Sequence, residues 1–88
     1  MVRARAESGE EGSYTRKLLG DRNLRLKKLG EESAELVTAC ADGDRARAVE
    51  EAADVVYHLT VALRALGAGL DEVAAALDRR ASPHHRIV

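Results

Sequence analysis

The sequence predicts an all-α protein, an antiparallel helical hairpin core assembling as a dimeric helical bundle. The first sign is composition: Ala, Leu and Val supply most of a 45% hydrophobic content, with no Phe or Trp and a single Pro. Residues that favour helices dominate, and helix breakers are confined to a few points. The second sign is spacing, because apolar residues recur at helical intervals in two long stretches separated by Asp42-Gly43-Asp44. The third is that the second of these stretches is apolar on most sides. A chain of 88 residues cannot cover such a helix by itself, so self-association is expected.

Residues 1–12 read as a polar N-terminal segment, with Glu7-Ser8-Gly9-Glu10-Glu11-Gly12 as a loop. Ser13-Tyr14-Thr15 starts a short helix ending at Gly20. Asp21 is a side-chain cap for a long helix over 22–41, in which Leu26, Leu29, Leu36, Val37 and Cys40 share the face expected to meet the core. Gly30 inside this helix costs up to about 1 kcal/mol relative to Ala, and it leaves room for close approach by a neighbouring chain or ligand. Gly43 then ends the helix and Asp44 caps the next, over about 45–66, with Val49, Ala52, Ala53, Val56, Leu59 and Leu63 as its stripe. Gly67 and Gly69 interrupt the chain before Asp71 and Glu72 open a last helix to about Arg80. The helical domain is therefore expected over 13–80, followed by a tail over 81–88 containing His84 and His85, which read as solvated.

Several function classes are disfavoured by composition. The formal net charge is −1 and the only aromatic residues are two Tyr, which gives neither a basic field nor stacking platforms for nucleic acid. No apolar run reaches the roughly 20 residues needed to span a bilayer. One Cys and no apolar leader fit a cytoplasmic protein.

The chemistry is carried by two acidic clusters, Glu31-Glu32-x-x-Glu35 and Glu50-Glu51-x-x-Asp54. At about 100° per residue, Lys28, Glu31, Glu32 and Glu35 occupy one sector of the first long helix. Glu50, Glu51, Asp54, Tyr57 and His58 occupy one sector of the second. Each sector is continued by a small or apolar residue, Ala39 on one helix and Val61 on the other, as befits the floor of a cleft. Glu and Lys three and four residues apart are also the commonest decoration of exposed helices, and Lys28 with Glu32 is an ordinary pair of that kind. Two matched clusters on adjacent helices weigh against mere decoration. Carboxylates crowded face to face repel unless a cation lies between them, and hard divalent ions such as Mg²⁺ suit an all-oxygen site. Metal-assisted chemistry on phosphates is the expectation.

Three segments closely resemble the phosphoribosyl-ATP pyrophosphohydrolase family of histidine biosynthesis: Ser13-Tyr14-Thr15-x-Lys17-Leu18-Leu19, Lys27-Lys28-Leu29-Gly30-Glu31-Glu32-x-x-Glu35, and Glu50-Glu51-Ala52-Ala53-Asp54-Val55-Val56-Tyr57-His58-Leu59. The paired acidic clusters alone resemble the wider all-α nucleotide pyrophosphohydrolases, including MazG-type and dUTPase-type enzymes. The Ser-Tyr-Thr segment and the Lys-Lys-x-Gly-Glu-Glu junction narrow the likeness.

The resemblance implies a Mg²⁺-dependent homodimer that hydrolyses the α–β phosphoanhydride of phosphoribosyl-ATP to phosphoribosyl-AMP and pyrophosphate. By position it implies Glu32, Glu35, Glu51 and Asp54 as metal ligands, supported by Glu31 and Glu50. Glu32 or Glu35 would orient the attacking water, and Lys28, Lys17 and Arg16 would meet phosphate oxygens. The sequence departs from the family's usual pattern in a shorter lead-in to Ser13 and in lacking the companion cyclohydrolase domain, so a stand-alone subunit is expected. The alternatives are a house-cleaning nucleoside triphosphate pyrophosphohydrolase and, from another class, a non-catalytic helical dimerisation module. His58 is expected as a hydrogen-bonded interface histidine rather than a ligand, Tyr57 as packing with its hydroxyl on a partner group, and Cys40 as core.

Overall fold

The computed structural model describes residues 9–81, with side chains described from residue 12. Four helices and no strand make up this region: α1 (Gly9–Leu19), α2 (Arg22–Ala41), α3 (Arg45–Arg64) and α4 (Leu70–Arg80). Both long helices begin where the local chemistry directs. Asp21 is extended and its carboxylate accepts from the Leu24 amide at 3.0 Å, and Asp44 does the same for Arg47 at 3.1 Å. Such caps each stabilise a helix by about 1 kcal/mol. Between them Gly43 takes φ +69°, the left-handed conformation that a side chain disfavours. The turn is thus only long enough to reverse the chain, and α2 and α3 pack along each other as the expected hairpin.

α1 lies across both long helices. It starts at Gly9, so the segment expected as a loop enters the helix four residues before Ser13. The exchange of helix propensity for contact explains this: Gly12, Thr15 and Leu18, three residues apart, are all buried, and tertiary packing outweighs the cost of glycine in a helix. The other end is closed by Arg25 of α2, whose guanidinium donates to the Leu18 and Leu19 carbonyls at 3.1 and 3.0 Å. These carbonyls belong to the last turn of α1, where helical partners run out.

The face that α2 turns inward is not the expected one. Ala39 and Glu32 are its buried residues, whereas Val37 is 67% and Leu26 46% exposed, and Cys40 is exposed as well. Cys40 is therefore not a core residue. On α3, His58 and Val61 are buried while Val49 and Val56 lie open. Acids from the sectors of the two helices face each other, while the aliphatic stripes are half-buried at Leu29, Leu36, Leu59 and Leu63 and open at Leu26, Val37, Val49 and Val56. Among the described residues the buried apolar set is Leu18, Ala39 and Val61, too small a core for a free-standing domain. A Cβ built on Gly30 meets nothing within 4 Å, so this glycine answers no close approach inside the chain. α3 ends at Arg64, two residues before the expected limit, where Gly67 turns the backbone at φ +79°. α4 follows with Asp71 and Glu72 in its first turn and Arg79 and Arg80 in its last, and none of its residues is buried. The tail with His84 and His85 lies outside the described residues.

Candidate metal and phosphate site

The hairpin brings Glu32 and Glu35 of α2 against Glu51 of α3. One carboxylate oxygen from each lies within 4.8 Å of the others. Their surroundings are graded: Glu32 is buried, Glu51 half-buried and Glu35 open to solvent. Such a slope gives a cluster with a closed floor and an accessible mouth. The floor is unfinished, since Glu51 Oε1 is shielded from solvent and has no hydrogen-bond partner among the described residues. Buried carboxylate oxygens are rarely left so, because each forfeits its hydration.

Burial pushes the Glu51 carboxyl up from its usual value of 4.5; Glu35 pushes it the same way, by like-charge repulsion and by a hydrogen bond with the protonated carboxyl, as do the charges of Asp54 and Glu32. The Arg47 guanidinium is 4.0 Å from the Glu51 carboxylate and is shared with Asp42 at 3.6 Å. The arrangement lacks positive charge at its centre. Three converging oxygens, an orphaned buried acceptor and a carboxyl held above its usual range fit a hard divalent cation.

A pH dependence follows from the direction of this shift. The folded state binds the Glu51 proton more tightly than the unfolded chain does. Its contribution is therefore greatest below pH 4.5 and is lost as pH rises through the raised folded value. In metal-free protein, the stability gap between Glu51→Gln and the unaltered chain is expected to widen in favour of the variant between pH 4.5 and 7. Paired thermal melts in chelator check this, and a gap independent of pH would count against the crowding.

Asp54 stands beside Glu51, near enough to contribute to that repulsion, but is not one of the three converging carboxylates. Glu31 is drawn to the lysines, with Lys27 at 3.9 Å and Lys28 at 3.5 Å, and Glu50 is exposed. Lys28 also meets Glu32 at 3.6 Å. Burial would lower the Lys28 pKa, but Tyr14, Glu31 and Glu32 together outweigh it and raise it. A fully charged ammonium thus sits at the rim of the cluster. Arg16 donates to Ser13 Oγ at 3.1 Å, and Lys17 is exposed on α1.

One group was not legible in the sequence as a unit. Thr15 of α1 and Tyr57 of α3 share a hydroxyl–hydroxyl hydrogen bond of 2.6 Å. The Tyr14 and Tyr57 rings stack with centroids 6.3 Å apart and 17° between their planes. His58 stands edge-on to both. Its Nδ1 donates to the Asp54 carbonyl at 3.0 Å, which leaves Nε2 to accept from the Tyr14 hydroxyl at a long 3.4 Å. The expectation that His58 is hydrogen-bonded holds, and the Tyr57 hydroxyl does rest on a partner group. Both lie inside the chain, between α1 and α3. The partners are 42 and 44 residues apart, and no local pattern in the sequence links them.

An all-helical chain whose hairpin gathers carboxylates from both helices is the architecture of a helical pyrophosphohydrolase. Residues 1–81 match the family described as phosphoribosyl-ATP pyrophosphohydrolase, and the chain belongs to it. It is 51% identical over 83 residues to "Phosphoribosyl-ATP pyrophosphatase 1" of Bradyrhizobium diazoefficiens, an alignment covering 92% of this chain and 77% of that protein. It is 49% identical over 81 residues to "Phosphoribosyl-ATP pyrophosphatase" of Rhodobacter capsulatus, covering 91% and 79%. The "Histidine biosynthesis bifunctional protein HisIE" of Parasynechococcus marenigrum is 47% identical over 87 residues, which cover 94% of this chain and 38% of that longer protein. No solved structure matches.

Proposed function

We propose that the chain hydrolyses the α–β phosphoanhydride of phosphoribosyl-ATP to phosphoribosyl-AMP and pyrophosphate, as a Mg²⁺-dependent homodimer acting in the cytoplasm. The observation that carries the chemistry is the convergence of Glu32, Glu35 and Glu51, with one shielded Glu51 oxygen that has no hydrogen-bond partner among the described residues. The substrate rests on family membership. Glu32, Glu35 and Glu51 would hold Mg²⁺, with Asp54 adjacent and Glu31 and Glu50 supporting. When bound, the ion supplies charge neutralisation at the phosphates and a more acidic water.

The protein's own groups divide the remaining work. Lys28, already at the rim and charged, meets phosphate oxygens, and Lys17 and Arg16 extend the positive edge along α1. Glu32 is buried and paired to Lys28, whereas Glu35 reaches solvent within the same cluster. Glu35 is therefore the better placed of the two to orient the water and take its proton. The water oxygen forms the new bond to phosphorus, the anhydride P–O bond breaks, and pyrophosphate leaves. No covalent nucleophile is needed.

Self-association has its own support. Leu26 and Val37 on α2, and Val49 and Val56 on α3, form aliphatic stripes that this chain leaves open. A second copy is the covering that a core this small needs. Among the described residues, no helix is long and apolar enough to cross a membrane.

Incubation with phosphoribosyl-ATP, with and without Mg²⁺, tests the reading through released pyrophosphate. Mg²⁺-dependent release is expected. A clear preference for a deoxynucleoside triphosphate over phosphoribosyl-ATP would instead identify a house-cleaning enzyme. Absence of both activities in a folded protein, without any Mg²⁺ effect on stability, would leave a dimerisation module.

A further inference from the structure

We propose that Thr15, Tyr57, Tyr14 and His58 form a clasp that positions α1 beside the carboxylate cluster, and that this clasp sets substrate affinity rather than the rate of the chemical step. The inference rests on the reading of the cluster as the phosphoanhydride-cleaving site.

The clasp adds side-chain bonds to α3 beside the buried Leu18 and the Arg25 bonds that tie α1 to α2. Thr15 and His58 are two of the buried polar residues, at 7% and 6% exposure. Each is engaged across helices, Thr15 by the 2.6 Å bond to Tyr57 and His58 by Tyr14. A short, part-buried hydroxyl pair of this kind favours one geometry, because a shielded hydroxyl deprived of this bond bears the cost of its lost hydration. The stacked tyrosines then fix the rotation of α1 about its axis.

That rotation matters because of what lies on α1. Tyr14 is 36% exposed and neighbours Lys28, the ammonium that pairs with Glu31 and Glu32. Lys17 follows Tyr14 by three residues and so shares its side of the helix. Fixing Tyr14 thus places Lys17 on the flank of α1 that faces the Lys28 rim. At the other end of the clasp, the His58 Nδ1 bond holds the carbonyl of Asp54, whose own side chain stands beside Glu51. These four are positioning residues, since they act on groups that meet phosphate. Contacts made equally to bound substrate and to the transition state alter KM without altering kcat.

The test uses Tyr57→Phe, Thr15→Val and the conservative Thr15→Ser, each checked for helicity at the assay temperature. Pyrophosphate release from phosphoribosyl-ATP at saturating Mg²⁺ gives KM and kcat. Thermal shift with Mg²⁺ alone reads the cluster separately. The expected result is a KM raised roughly five-fold in Tyr57→Phe, the loss of one hydrogen bond, and at least as much in Thr15→Val. Turnover and the Mg²⁺-linked shift should stay near their original values, and Thr15→Ser should restore KM. Tyr57→Phe, which keeps the stacked ring, carries the test if Thr15→Val fails to fold. An unchanged KM in Tyr57→Phe would overturn the clasp. So would a parallel fall in kcat, Mg²⁺ shift and melting temperature, which is the signature of a merely structural contact. If the unaltered protein responds to Mg²⁺ but releases no pyrophosphate from phosphoribosyl-ATP, the substrate reading fails and the proposal fails with it.

Discussion

Glu51→Gln is expected to abolish Mg²⁺-dependent pyrophosphate release while leaving the metal-free protein more stable at neutral pH than the unaltered chain. Both halves have one cause. In the free protein Glu51 carries a shielded oxygen with no hydrogen-bond partner among the described residues, and its carboxyl is raised by burial and by Glu35, Asp54 and Glu32. In its charged form it opposes folding, and an amide of the same shape removes the charge. With Mg²⁺ present the balance reverses, because a ligand that binds only the folded state stabilises it by RT ln(1 + [L]/Kd), about 2.7 kcal/mol at a hundred times Kd. The variant should lose that increment. Its activity should fall by more than about 100-fold, the upper range for removing a mere supporting contact to a metal ligand. The measurement is a pair of melts, with chelator and with Mg²⁺, beside the activity assay. A variant less stable than the parent in chelator would show that Glu51 serves as a structural ion-pair partner, with Arg47 as its counter-ion.

What could be read from the sequence, and what could not, divides along the range of the interactions. Asp21 and Asp44 were legible as caps because a cap is decided within three residues. The acid sectors were legible because 3.6 residues per turn places Glu32 with Glu35, and Glu51 with Asp54, whatever surrounds them. The turn at Gly43 follows from the one residue type at ease with its φ. Orientation was a different matter. A stripe such as Leu26, Leu29 and Val37 announces burial without saying against what, and the core of this chain was the natural assumption. The hairpin instead buries Ala39 and Glu32 on α2 and His58 and Val61 on α3, which leaves Cys40 and Val37 outside. A helix with two inward-seeking faces must give one to its hairpin partner and one to another surface, and periodicity alone does not rank them. Long-range contacts were also out of reach, and the Thr15–Tyr57 bond has no trace in local spacing. Nor did the propensity of Gly9 and Gly12 reveal that α1 begins before Ser13, since burial of Gly12 decides it.

Val37→Lys is expected to convert a dimer into a monomer and to lower the melting temperature by roughly 10 °C or more. Val37 is 67% exposed in the single chain, so if the chain acted alone the substitution would be close to neutral. The size of the effect therefore measures the interface. An aliphatic residue buried between copies contributes about 1.5 kcal/mol or more, and a lysine there must also remain desolvated or force the surfaces apart. For a domain of this size about 2 kcal/mol corresponds to the shift stated. The loss should exceed it if the monomer cannot fold, because the stability of an obligate dimer is inseparable from association. Light scattering gives the mass. The melting temperature of the parent should rise with protein concentration, and that of the variant should not. A parent that remains monomeric over the micromolar range, or a variant that melts with it, would mean the stripes of α2 and α3 serve some other surface. In that case the small buried set of Leu18, Ala39 and Val61 would have to hold the hairpin together alone. That outcome is the harder one to reconcile with the burial observed, because α2 and α3 spend much of their shared inward face on charged and polar groups. Glu32, Glu51 and His58 occupy positions that an ordinary hairpin would fill with Leu or Val. Carboxylates there become tolerable if a second copy covers the outer stripes, which would supply the burial that the chain's own interior gives up to the site.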